Sequence, residues 1–216
     1  PNFASIQSKV AIVNTVSVWP NPSLILSPDI SLNLFDTSGG NGSPAIVNEN
    51  TNITVSGTTT IGSPSCSKKA NCSLFGGGNA AATGKDGTSK STVNLAGGHI
   101  YGNVYGGANT SVVKGDAIVN VANSAVSENT IKAPIMLDGT IFGGGEANAS
   151  GSDTYDYSFI SVTKSITVNL DATNFSDINI KGSIFGSGNA SSSSGTSNIN
   201  ITKFGSDENP KKITSI

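Results

Sequence analysis

The chain has 216 residues, 12% charged and 36% apolar, with 26 glycines and a formal net charge of −2. That is too little charge for a solvated disordered chain, and no apolar run approaches the ~18 residues of a membrane-spanning helix. All twelve basic residues are lysine, so the chain lacks both the basic footprint of a nucleic-acid binder and arginine's bidentate grip on phosphate or carboxylate.

Residues 1–50 hold short apolar runs, Val10-Ala11-Ile12-Val13 and Leu24-Ile25-Leu26, and the alternating Ser31-Leu32-Asn33-Leu34-Phe35. Pro20, Pro22, Pro28 and a glycine-rich stretch at 39–44 punctuate them, which are strand and turn signals. We expect a β cap over the open edge of the region that begins at residue 51, or the end of a preceding module. The abrupt start at Pro1 and stop at Ile216 lead us to expect a piece of a larger parent chain.

Cys66 and Cys72 are the two cysteines and lie in one short loop. Without a further Cys or His beside them they are a poor zinc set. In an exported protein they would close a small disulfide loop, whereas in the cytosol they would have no task. We expect the disulfide, and with it a secreted or cell-surface location.

From residue 51 to 216 a repeat takes over. Leu74-Phe75-Gly76-Gly77-Gly78-Asn79-Ala80 returns as Val104-Tyr105-Gly106-Gly107-Ala108-Asn109, as Ile141-Phe142-Gly143-Gly144-Gly145-Glu146-Ala147 and as Ile184-Phe185-Gly186-Ser187-Gly188-Asn189-Ala190. The aromatic anchors are 30, 37 and 43 residues apart, so insertions loop out of a constant scaffold. Each unit also carries a second strand, Ile53-Thr54-Val55, Val93-Asn94-Leu95, Ile118-Val119-Asn120-Val121, Val168-Asn169-Leu170 or Ile199-Asn200-Ile201. A third strand is read at His99-Ile100-Tyr101, Thr130-Ile131-Lys132 and Ile178-Asn179-Ile180-Lys181. Short β-branched strands without a helical period predict an all-β fold, a right-handed parallel β-helix (β-solenoid) whose coils stack ~4.8 Å apart.

Alternation assigns the faces. Ile100, Gly102 and Val104 oppose Tyr101, Asn103 and Tyr105; Leu137, Gly139 and Ile141 oppose Asp138, Thr140 and Phe142; Ile180, Gly182 and Ile184 oppose Lys181, Ser183 and Phe185. If the aliphatic set fills the coil, Phe75, Tyr105, Phe142 and Phe185 form an aromatic ladder outside it. In the same register Asp138 and Lys181 stack on neighbouring coils and form an exposed ion pair.

The segments Gly102-Asn103-Val104-Tyr105-Gly106-Gly107 and Ile141-Phe142-Gly143-Gly144-Gly145 resemble the glycine-rich repeats of large secreted or surface-displayed bacterial proteins of the adhesin-like kind. The match covers roughly residues 74–190. The resemblance implies an exported, non-enzymatic stalk or binding region with a glycan or a host or cell-surface protein as partner. It implies no ligand identity and no catalytic residues.

Each motif has a plainer reading. Gly76, Gly78 and Ala81 meet a loose dinucleotide pattern, but no helix signal comes after it and the pattern recurs; glycine is better explained by positive φ and close backbone approach at a corner. The column Asn79, Asn109, Glu146, Asn189 is read as a side-chain hydrogen-bond ladder rather than a row of calcium ligands. Asp153 and Asp156 in one loop are the candidate for a single cation, calcium, although a solvated loop needs none, and no cofactor is expected otherwise. His99, the one histidine, is read as a turn residue rather than a general base. The competing class is a carbohydrate-active β-helix enzyme of the lyase or hydrolase kind, or its glycan-binding remnant; it would need a carboxylate cluster or metal set that the sequence does not assemble. The aromatic ladder suits sugar rings or apolar partners if open, and is packing if loops inserted after each glycine segment cover it. Sequons at Asn41, Asn52, Asn71, Asn109, Asn148, Asn174, Asn189 and Asn200 reflect composition.

Overall fold

The structure, a computed structural model, describes residues 23–26, 31–32, 50–65, 72–78, 82–84, 87–122, 134–147, 160–171 and 178–202, the first two segments as backbone. β-Branched residues alternating with Asn, Ser and Thr make these segments strand after strand, with no α-helix among them. In chain order they are β1 Ser23–Leu26, β2 Ser31–Leu32, β3 Thr51–Ile61, β4 Leu74–Phe75, β5 Ser89–Ile100, β6 Val104–Tyr105, β7 Gly115–Val121 and β8 Ile135–Leu137. Then come β9 Ile141–Phe142, β10 Ile160–Val162, β11 Ile166–Asp171, β12 Ile178–Ile180, β13 Ile184–Phe185, β14 Ser192–Ser193 and β15 Ser197–Thr202.

All named strand pairs are parallel, and they stack in sequence order. The main ladder runs β1-β3-β5-β7-β11-β15. A second joins β2 to the end of β3, and the end of β5 to β8 and then β12. A third runs β4-β6-β9-β13, and β10 pairs with β14. Three residues separate β5 from β6, β8 from β9 and β12 from β13, so the corner between the second and third ladders is constant from β5 onward, whereas twelve residues join β3 to β4. β1 and β2 lie on β3 in the same parallel sense, Ser23 opposite Asn52 and Ser31 opposite Thr60; the ladder therefore reaches into residues 1–50.

The register matches the second strands read from the sequence. Val93, Val119 and Val168 align in one column, Asn94, Asn120 and Asn169 in the next, and Leu95, Val121 and Leu170 in a third. One third strand differs. In the β7 unit it is Ile135–Leu137, later in the chain than Thr130-Ile131-Lys132, which lies outside the described residues. Pro134 precedes it and starts an extended segment cleanly.

The aliphatic parity fills the interior. Val55, Val93, Val104, Val119, Leu137, Ile141 and Val168 belong to one buried cluster, with Ile184 packed at its margin. A smaller cluster of Ala108, Val113, Ala117, Val162 and Ile166 lies beside the β10 corner. Burying each Val, Leu or Ile of these clusters contributes roughly 1.5–3 kcal/mol.

The repeated glycines answer to packing between rungs rather than to backbone conformation. Gly76, Gly106 and Gly143 are not among the positive-φ residues, which at the end of the motif are Thr110 and Ala190. A Cβ on Gly76 would press on the carbonyl oxygen of Gly106, and one on Gly106 on that of Gly143. Gly102, Gly139 and Gly182 form a second such column, each backed by a carbonyl of the preceding rung. The conformational explanation holds instead at the bend from the first to the second ladder: Gly98 has φ 95°, and a Cβ there would meet the Thr59 carbonyl oxygen at 2.5 Å.

Candidate functional site

Side chains that alternate away from the aliphatic core make the site. Phe75, Tyr105, Phe142 and Phe185 occupy equivalent places on β4, β6, β9 and β13 and stack face to face. Ring centroids are 4.4, 5.0 and 5.4 Å apart in that order, with interplanar angles of 4°, 9° and 17°. Each contact contributes about 0.5–1.5 kcal/mol beyond its buried area. The four rings form a ladder on the face opposite the aliphatic core.

An open platform along its length is not what the structure has. Phe75 and Tyr105 are buried, Phe142 is half-buried, and only Phe185 is exposed, at 47%. The ladder is a packed column with one accessible end.

Beside it runs a polar frame. Tyr105 Oη donates to Glu146 Oε2 at 2.7 Å, and Asn189 Nδ2 donates to the same oxygen at 2.7 Å. Asn103 Nδ2 donates to Tyr105 Oη at 3.1 Å. Burial first, then the neighbouring Glu146 carboxylate, pushes the Tyr105 phenol far above its ordinary value, so it stays a donor. Glu146 sits in the expected column, bridged to Asn109 on one side and Asn189 on the other. Asn189 donates along that column, as a side-chain ladder requires, but Glu146 also turns to the aromatic ladder, which its sequence position does not reveal. Asn79 lies outside the described residues.

A second cluster lies on the second ladder and its corner. Lys181 Nζ is 2.9 Å from Asp138 Oδ1, and His99 Nε2 is 3.0 Å from the same oxygen. Partial burial alone would raise the Asp138 carboxyl, but hydrogen bonds from Lys181 and His99, with their electrostatic pull, outweigh it and hold the group below the ordinary carboxylate range. His99 is not the turn residue expected of it. It lies in β5, opposite Met136, with its ring 4.0 Å from that of Tyr101.

A third array emerges only from the stacking. Asn94 donates to Asn52, Asn120 to Asn94, Asn169 to Asn120 and Asn200 to Asn169, at 2.7, 2.8, 2.8 and 2.9 Å. Every bond runs from the Nδ2 of the later rung to the Oδ1 of the earlier one. A signal for it is present in the sequence, an Asn held between two aliphatic residues in each second strand from residue 93 onward.

Cys72 is buried and disulfide-bonded; the chain's other cysteine, Cys66, lies outside the described residues, as do Asp153 and Asp156. Among the described residues no group of three or more His, Cys, Asp and Glu could hold a metal ion. No protein-family model, curated protein or solved structure matches the chain.

Proposed function

We propose that the chain is a length of right-handed parallel β-helix that serves as a non-catalytic stalk or adhesive region of an exported bacterial surface protein, of the adhesin-like glycine-rich kind. One observation carries the reading: the polar side chains best suited to chemistry reach from rung to rung. Tyr105 and Asn189 converge on Glu146, Lys181 and His99 on Asp138, and the asparagines on one another. Groups engaged in this way hold register. Parallel ladders in sequence order, joined by short corners, support a coil, and a right-handed crossover is the rule for parallel strands. The disulfide at Cys72 favours an oxidising location. A glycan or a cell-surface protein is the partner class that the accessible end of the aromatic ladder suits.

Small-angle scattering and enzyme assay together test this. A rod whose length grows by ~4.8 Å per coil, with no product released from pectin, chitin or peptidoglycan, is the expected result. Product that disappears on substituting one Asp or Glu overturns the non-catalytic reading.

One arrangement favours the competing carbohydrate-active enzyme. His99 and Asp138 are in contact, partly exposed, and flanked by Tyr101 and Lys181, which puts an imidazole held by a carboxylate on one outer face. Turnover abolished by both His99→Ala and Asp138→Asn would select that reading.

A further inference from the structure

The outer face of the second ladder carries two columns of side chains. His99, Met136 and Asn179 form one, set by the pairing of β5, β8 and β12. Tyr101, Asp138 and Lys181 form the other, each coming directly after the paired and buried Ile100, Leu137 and Ile180. The main chain keeps the same register through this second column, since Asp138 N donates to the Ile100 carbonyl and Lys181 N to that of Leu137. The rungs of Tyr101 and Asp138 have paired strands on both sides, β3 and β8 for the first, β5 and β12 for the second. The centre of the cluster therefore lies within the stack, not at its end.

Three properties of this face specify a ligand. The first is a fixed acceptor beside a donor. Asp138 Oδ1 accepts from His99 Nε2 at 3.0 Å on one neighbouring rung and from Lys181 Nζ at 2.9 Å on the other, with Lys181 56% exposed. A hydroxyl group donates and accepts at once, so a carboxylate adjoining an ammonium matches it on both counts. The second is Tyr101, partly exposed with its ring 4.0 Å from that of His99, an apolar ring with a polar tip of the kind that covers the C–H face of a sugar. The third is charge and size. Asp138 and Lys181 balance each other, so the pair favours no ionised ligand. Two columns over three rungs span about 7 Å along the strands and ~10 Å across them, far short of the ~800 Å² per partner of a stable protein interface.

We propose that this face binds a neutral glycan, whose hydroxyls engage Asp138 and Lys181 while the C–H face of a sugar ring lies on Tyr101. His99 is a positioning residue that holds the Asp138 carboxylate. The inference deepens the adhesive reading and rests on its glycan partner.

The chain has one histidine and one methionine, and both are on this face, so the His99 ring and the Met136 methyl give single NMR signals that report on it. The whole chain is titrated with cellopentaose, mannopentaose, N-acetylchitopentaose and the anionic pentagalacturonate. At least one neutral glycan should shift both signals saturably, and pentagalacturonate should not. Tyr101→Ser and Asp138→Asn should each weaken that glycan by about tenfold, whereas Tyr101→Phe and Phe185→Ser should leave it bound. Silence of both signals towards all three neutral glycans overturns the proposal, as does an equal response to pentagalacturonate or indifference to both weakening substitutions. Each of these leaves the adhesive reading standing. Binding lost with Phe185→Ser alone moves the glycan to the aromatic ladder and also overturns this site. Cleavage of the bound glycan, abolished by Asp138→Asn, overturns the non-catalytic reading and this inference with it.

Discussion

Lys181 reaches Asp138 across one rung, Nζ to Oδ1 at 2.9 Å, with Ile180 and Leu137 paired immediately before them in the ladder. The pair is a consequence of register. One residue of slip would turn one of the two charges into the aliphatic interior.

Asp138 should make stability pH-dependent in acid. Its folded pKa is depressed, so its contribution is present above the unfolded value of about 3.9 and is lost as pH falls through the folded value. Lys181 is more than half exposed, at 56%, so screening keeps the contribution near ~0.2–1 kcal/mol. Urea unfolding of Asp138→Asn at pH 7 should show that loss, and at a pH below the folded value the variant and the parent should coincide.

Tyr105 should resist ionisation in alkali. Its pKa is raised, so its stabilising contribution is complete below the unfolded value of about 10 and declines as pH rises towards the folded one. Absorbance at alkaline pH should show Tyr105 ionising only with unfolding. Tyr105→Phe should cost about 1.5–3 kcal/mol at neutral pH, the range for a hydrogen bond to a charged group, and should remove the alkaline sensitivity.

The glycine columns predict a contrast between two identical substitutions. Gly106→Ala places a Cβ against the Gly143 carbonyl and the Val119 side chain, and should destabilise by about 1–3 kcal/mol through overpacking. Gly186→Ala, whose Cβ would come no nearer than 3.4 Å to Ile199 and Ser197 side-chain atoms, should be near neutral. Thermal denaturation of the two variants side by side decides it; equal losses would remove the packing explanation.

The asparagine ladder should be weaker at its end than in its middle. Asn120→Ala loses one bond donated to Asn94 and one accepted from Asn169, at roughly 0.5–1.5 kcal/mol each. Asn200→Ala loses the bond to Asn169 alone and should cost about half as much by urea unfolding.

Much of this arrangement is legible in residue order. A period-2 pattern with an aromatic anchor determines which side chains turn inward, so Val104, Ile141 and Leu137 can be placed in the core and Tyr105 and Phe142 opposite them. It also aligns Asp138 with Lys181. Exposure does not come from it. Tyr105 is buried and Phe185 is not, because burial depends on position along the stack, and a repeat makes all its members look equivalent. The partners of Glu146 and His99 are hidden for a related reason. Tyr105 and Glu146 are 41 residues apart, and His99 and Asp138 are 39 apart, so their meeting depends on how many residues separate successive strands of each ladder. Of the two causes read for the motif glycines, positive φ is absent at Gly76, Gly106 and Gly143, and close backbone approach holds. The approaching backbone is that of the next rung, which no single unit displays.

Because neighbours in the main ladder are also successive in the chain, a load applied between its ends acts on the rungs in series. Pulling along the stack opens one interface at a time, so mechanical resistance is that of the weakest rung and does not grow with the number of rungs. Each opening would release one repeat, whose length the insertions set: with anchors 30, 37 and 43 residues apart, about 100 to 150 Å of extended chain. The spacing between anchors thus determines how far the stack yields at each step.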